Sequence, residues 1–284
     1  MTGKICVIGG DMRSAVAALE FEKDGYSVYT FGLDRLEERF PALRYCRDLR
    51  NAISGADAVI LPVPYSTDGV NVNAPYTDAV ISVGDVFELA GNGMTVCGGM
   101  MGGYSLRSNV RDYFESEELK ILNASATAEG AIAIGMGKLN IAFNGANAVV
   151  IGYGRIGKLL SHKLRMLGCD VTVVTRKRSD SAWCEALGYK FEFVKNIKNV
   201  LPGADIVYNT VPALVLDAGA LGLIKKETPV IDLASKPGGT DLEAASALGL
   251  DASLYPGIPG KNVPYSAGRI IKNTVQCYIT KGKN

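Results

Sequence analysis

Short apolar runs of strand length alternate along this chain with longer stretches whose apolar residues recur at helical spacing. Residues 147–174 show it best. Val149, Val150 and Ile151 make a strand-like run, and Leu159, Leu160, Leu164 and Leu167 keep one helical face. Gly168 stands where a helix stop belongs, and residues 171–174 read as a second strand. The N-terminus follows the same plan, with a strand at 4–9, an amphipathic helix at 12–23, a stop at Gly25 and a strand at 26–31. Further strands are expected at 56–61, 94–97 and 119–122, then at 205–209, 229–233 and 253–255. Such alternation predicts parallel sheets covered on both faces. Two helices, 126–138 and 265–279, are expected to join two lobes and leave a cleft between them.

Between strand and helix of the 147–174 unit stands Gly152-Tyr153-Gly154-Arg155-Ile156-Gly157. In this setting Gly152 makes the tight turn, Gly154 admits a pyrophosphate to the backbone, and Gly157 lets helix and strand pack closely. The helix N-terminus then turns its free N–H groups and positive dipole end to the phosphates. The N-terminal unit aligns on this one without gaps, Gly9 on Gly152 and Gly25 on Gly168. Asp11 stands at the place of Gly154, however, and Ser14 at that of Gly157. A carboxylate repels phosphate, so the first unit is expected to hold no nucleotide. The fold class is therefore α/β, with two Rossmann-like parallel-sheet domains, linking helices and an interdomain cleft. The expected division is a nucleotide-free domain at 1–122, a linking helix at 123–142, a dinucleotide-binding domain at 143–264, and a C-terminal helix at 265–284 returning to the first domain.

The end of the second strand selects the cofactor. NAD enzymes place an acid there for the ribose 2′-hydroxyl. Here the chain reads Thr175-Arg176-Lys177-Arg178-Ser179, whose cations and hydroxyls suit a 2′-phosphate. NADP is the expected cofactor and NAD the alternative; the competing reading of these residues is a solvated basic loop. The carboxyl ends of later strands also face the cofactor in a doubly wound sheet, which adds Asn209, Thr210, Val211, Pro212, Asp232 and Ala234 to the candidate cofactor residues. For Asn209 and Thr210 the alternative is satisfaction of a strand end.

A net charge of +1 with scattered Lys and Arg carries no footprint for nucleic acid or a membrane surface. The six cysteines lie far apart without metal spacing, and no metal site is expected. With no signal-peptide pattern or bilayer-length apolar run, the reading is a cytoplasmic protein. The single histidine, His162, falls on the polar face of its helix. That argues against a hydroxyacid dehydrogenase, which relies on a catalytic histidine with an acid partner.

Several polar, glycine-rich segments remain: SATAEG (125–130), NTVPALV (209–215), DLASKPGGTD (232–241) and PGIPGKNVPYSAGRI (256–270). Together with VIGGDMR at 7–13 and GYGRIG at 152–157, they resemble the A subunits of dipicolinate synthase over nearly the whole chain. The resemblance implies NAD(P)-dependent oxidation of dihydrodipicolinate to dipicolinate in the mother cell of a sporulating bacterium, in an oligomer with a flavoprotein-like B subunit. The loop 64–75 has no assigned counterpart. A diacid substrate calls for cations and hydroxyl or amide donors. Lys236, helped by Ser235, is the candidate partner for one carboxylate. Ser125 and Thr127, at the start of the expected linking helix, are candidates for the other; the alternative makes them helix caps with Glu129 completing the pattern. Two competing functions are an NADP-binding scaffold whose partner carries the chemistry, and another NADP-linked dehydrogenase or imine reductase of a small dicarboxylate.

Overall fold

A computed structural model describes residues 3–281; residues 1–2 and 282–284, the outer ends of the expected first domain and returning helix, lie outside the described residues. The chain forms two compact units, one from the chain up to Asn123 and again from Gly260, the other from Ala124–Pro259.

The first unit opens with β1 (Lys4–Ile8), α1 (Met12–Lys23) and β2 (Ser27–Phe31). It continues with α2 (Leu49–Ile53), β3 (Ala58–Ile60), α3 (Val83–Ala90), β4 (Thr95–Gly98) and β5 (Val110–Asp112). Its strands are all parallel in the order β2-β1-β3-β4-β5. Along β1 the pleat sends Ile5 and Val7 to one core and Cys6 and Ile8 to the other, so both faces are covered. Burial pushes the Cys6 thiol up to about 12, which marks it as an inert packing group.

From this unit α4 (Glu117–Lys138) carries the chain into the second. There follow β6 (Asn147–Ile151), α5 (Arg155–Met166), β7 (Asp170–Thr175), α6 (Arg178–Ala186) and β8 (Lys190–Phe193). Next come β9 (Ile206–Asn209), α7 (Ala218–Leu221), β10 (Val230–Asp232), α8 (Leu242–Ala247) and β11 (Ala252–Leu254). This parallel sheet runs β11-β10-β9-β6-β7-β8, the doubly wound dinucleotide order. The short α9 (Ile258–Asn262) leads into α10 (Pro264–Lys281), which packs along α1 in the first unit. A Cβ on Gly268 of α10 would lie 2.7 Å from the Arg13 carbonyl and from Val16, so only glycine allows this approach. Buried Lys272 seals the pair by bonding Asp24 and Gln276.

Residues 119–122 are not a strand. They form the first turns of α4, because the Ser116 hydroxyl caps the Leu119 N–H and Glu117 and Glu118 favour the dipole of that end. The linking helix therefore begins at Glu117 rather than near Ala126. The unexpected strands, β5 and β8, are the outer strands of their sheets; with one side open they lack the apolar run that marks the others.

In the first unit the glycine turn after β1 is closed by the chain itself. Gly9 and Gly10 take φ of 63° and 93°, and the Gly10 N–H donates to the Asn73 carbonyl at 2.8 Å. Asp11 caps α1 and pairs with the Arg13 guanidinium at 2.8 Å. The loop 64–75 that supplies Asn73 starts at a cis Val63–Pro64 bond and is organised by Asp68. Its carboxylate accepts from the N–H groups of Val70 (2.8 Å) and Asn71 (2.7 Å) and from the Asn71 amide and Ser66 hydroxyl. These donors hold the Asp68 carboxyl far below the usual carboxylate range. A depressed folded pKa means a contribution complete above the unfolded value of about 3.9, lost only as pH falls through the lower folded value. We expect Asp68→Asn to speed hydrogen exchange at the Val70 and Asn71 amides, and the parent to retain their protection at pH near ~4. Equal exchange in parent and variant would remove Asp68 as the organiser of the loop.

Candidate functional site

The second unit keeps its glycine turn open. Gly152 has φ of 97°, and a Cβ there would lie 2.3 Å from the Thr210 hydroxyl and 2.9 Å from Val211 Cγ2. On Gly157 it would lie 2.1 Å from the Gly152 carbonyl oxygen. Around Gly154 there is nothing within 4 Å. Gly154 is also the N-cap of α5, and no side chain caps that helix end from this position. Crowded, open, crowded is the arrangement a pyrophosphate cradle requires. Tyr153 points into the core under the Lys158 ammonium, with its hydroxyl pushed up to about 12 by burial; Arg155 is exposed and Ile156 half-buried at the helix start.

Past the end of β7, exposed Arg176, Lys177 and Arg178 enter α6. Arg176 and Arg178, with Phe193, Val194 and Lys195 from the end of β8, line a concavity of about 310 Å³. Two guanidinium groups thus stand beside an aromatic ring past the end of the second strand of the cradle unit. Phe193, Val194 and Lys195 escaped the sequence reading because β8 itself did. Thr175 does not join this wall: it is buried, and its hydroxyl donates to Asp180 at 3.3 Å. Asp180, in the first turn of α6, is an acid that spacing from the glycine motif does not single out.

Other expected cofactor residues turn out to hold one another. Asp232 is 1% exposed; one oxygen accepts from the Asn209 amide (2.9 Å) and the Ala234 N–H (3.0 Å), the other from the Gly239 N–H (2.8 Å). Asn209 also accepts from the Val211 N–H and donates to its carbonyl, both at 3.0 Å. The Thr210 hydroxyl donates to the Ile151 carbonyl. Asn209, Thr210 and Asp232 therefore shape the cradle rim through internal bonds, and Ala234 is buried among them. Val211 walls the Gly152 turn, and Pro212 lies exposed beside it.

The turn that Asp232 anchors presents Ser235 and Lys236 to solvent, with a cis bond from Lys236 to Pro237. Among the described residues Lys236 has no hydrogen-bond or ion-pair partner. Gly239 is required where the turn folds back, since a Cβ would lie 2.3 Å from the Val211 carbonyl.

The helix N-terminus expected beside Ser125 and Thr127 does not lie there. Ser125, Thr127 and Glu129 sit inside α4, whose N-terminus lies at Glu117, so no free N–H groups surround them. Glu129 completes no cap and instead pairs with Lys163 of α5 at 2.9 Å. His162 is exposed on α5, as its helical phase implied.

Fold and cradle together define a two-domain oxidoreductase whose second unit binds a nicotinamide dinucleotide. Residues 126–234 match the NAD-binding domain of D-isomer specific 2-hydroxyacid dehydrogenases, and residues 4–136 the N-terminal domain of the dipicolinate synthase A subunits. The chain is 28% identical to the dipicolinate synthase A subunit of Bacillus subtilis (strain 168), covering 97% of this chain and 95% of that protein. It superposes on the crystal structure of the corresponding protein from Bacillus halodurans with a TM-score of 0.87 at 28% identity, covering 98% of each chain. The B. subtilis structure gives 0.86 at 26% identity, with 99% and 97% covered. The resemblance drawn from the motifs is thus borne out along the chain.

Substitutions separate the three glycines. Gly154→Ala, at φ −77° in open space, should keep the parental melting temperature yet weaken dinucleotide binding at least ten-fold. Gly157→Ala forces a side chain onto backbone and should destabilise the fold by about 1–3 kcal/mol or more. Calorimetric titration and thermal melts of both variants test this; unchanged affinity in Gly154→Ala would contradict the cradle.

Proposed function

We propose that this chain oxidises dihydrodipicolinate to dipicolinate in the mother-cell cytoplasm of a sporulating bacterium, with NADP as acceptor and in an oligomer with a B subunit. The reading is supported above all by the open Gly154 cradle beside a two-arginine concavity, in a chain similar from end to end to the dipicolinate synthase A subunits. The balance is dihydrodipicolinate plus NADP⁺ giving dipicolinate, NADPH and a proton.

When bound, the nicotinamide takes up the hydride. The chain's own work is positioning. The first-turn N–H groups of α5 hold the pyrophosphate, and Arg176 and Arg178 hold the 2′-phosphate. Lys236, with Ser235 beside it, pairs with a substrate carboxylate from a turn kept in shape by Asp232. The division of labour follows the two units. The second carries the dinucleotide, while the Gly10 N–H of the first is occupied by Asn73, so one cofactor binds per chain.

Two measurements test this reading. Replacing Arg176 and Arg178 by Ala should weaken NADP selectively, by about 1–3 kcal/mol for lost charge-assisted bonds, and leave NAD near its parental affinity. Calorimetry finding NAD bound as tightly as NADP by the parent, or two dinucleotides per chain, speaks against it. Lys236→Ala should lower kcat/KM about 10²-fold, equivalent to ~3 kcal/mol of transition-state binding. Because Lys236 is exposed and unpaired, its melting temperature and NADP affinity should stay parental. Turnover near the parental rate would take Lys236 out of the site.

A further inference from the structure

The concavity past the end of β7 has a second side, which neither the glycine motif nor β7 supplies. β7 and β8 run parallel with Thr175 opposite Phe193. The chain therefore leaves both strands side by side, Arg176 next on one, Val194 and Lys195 next on the other. Together with Arg178 and Phe193 these residues line the concavity. Three of the five side chains are cations and none is an acid. Lys195 is exposed and, like Arg176 and Arg178, has no hydrogen-bond or ion-pair partner among the described residues.

The segment that carries Lys195 is shaped by one carboxylate. One oxygen of Glu192, in β8, accepts from the Phe193 N–H at 2.7 Å and the Asn196 amide at 3.1 Å. The other accepts from the Asn199 amide at 3.3 Å. These bonds, the Phe193 N–H foremost, hold the Glu192 carboxyl below the usual carboxylate range. Lys195 lies between those donors in the chain, so the backbone beneath it is fixed at both ends. Phe191 meets Phe193 edge to face, with ring centroids 6.1 Å apart, and steadies the aromatic side.

We propose that Lys195 is a third cation for the 2′-phosphate of NADP, with Glu192 as its positioning residue, so that β8 helps to select the dinucleotide. The proposal rests on the NADP reading above. A phosphate monoester carries about two negative charges. Guanidinium groups give it directed donors, whereas an ammonium adds a point charge from the facing strand.

The test uses two fragments of the cofactor, adenosine 2′,5′-bisphosphate and adenosine 5′-monophosphate, in calorimetric titration of the full chain. The parent should bind the bisphosphate at least about ten-fold more tightly. Lys195→Met should cut bisphosphate affinity about ten-fold and leave monophosphate affinity near parental, while Lys195→Arg should retain the preference. Glu192→Ala removes a negative charge beside the phosphate, which by charge alone would raise the preference. Loss of the turn should lower it instead. A preference that rises or stays parental in Glu192→Ala overturns the positioning role. Should that variant fail to fold, Lys195→Met decides, because an exposed, unpaired lysine carries little folding energy. A parental preference in folded Lys195→Met overturns this proposal and leaves the NADP reading standing. A parent chain that binds both fragments equally overturns the NADP reading as well.

Discussion

The buried carboxylate of Asp232 is the group on which the carboxyl edge of the second unit depends. A carboxyl group away from water is tolerated only when its oxygens find donors. Asp232 finds them in the Asn209 amide at the end of β9 and in the N–H groups of Ala234 and Gly239 on either side of its own turn. Asn209 in turn fixes Val211, and Val211 walls the Gly152 turn. One chain of bonds thus runs from the Lys236 turn to the pyrophosphate cradle. Removing Asp232 would take the acceptor from one hydrogen of the Asn209 amide and from two buried N–H groups, and both features would move together.

Glycine spacing and apolar periodicity made the second unit readable before any coordinates. Gly152, Gly154 and Gly157 act through backbone geometry that a motif encodes directly, and Leu160 and Leu164 are buried where their spacing puts them. The N-terminus of α4 was hidden because residues 119–122 are apolar enough to pass for a strand. Its start rests on one hydroxyl, Ser116, three positions ahead of Leu119. The outer strand β8 was hidden for the opposite reason, since an open edge needs no apolar run, and the Phe193–Lys195 wall was lost with it. The roles of Asn209 and Asp232 were unreadable in principle: a polar residue at a strand end looks the same whether it bonds a ligand or its neighbour 23 positions away.

The two units share a βαβ opening and treat it differently. In the second, an uncapped helix end and an empty neighbourhood at Gly154 leave the backbone available. In the first, Asp11 caps the helix and an Asn73 carbonyl takes the turn N–H. The loop 64–75 thus supplies from within the chain the acceptor that a ligand would otherwise provide. Sheet order differs as well, so neither unit is a simple copy of the other.

The first unit is also discontinuous, and this bears on how the chain is made. Its α1 leaves the ribosome before the second unit is made, whereas α10, which covers α1 through Gly268 and Lys272, leaves after it. All of Ala124–Pro259 is synthesised in between. The second unit has its whole sequence available while Val16 and Phe21 still await Ile271 and Val275. The first unit is therefore opened before the second is made and closed only after it.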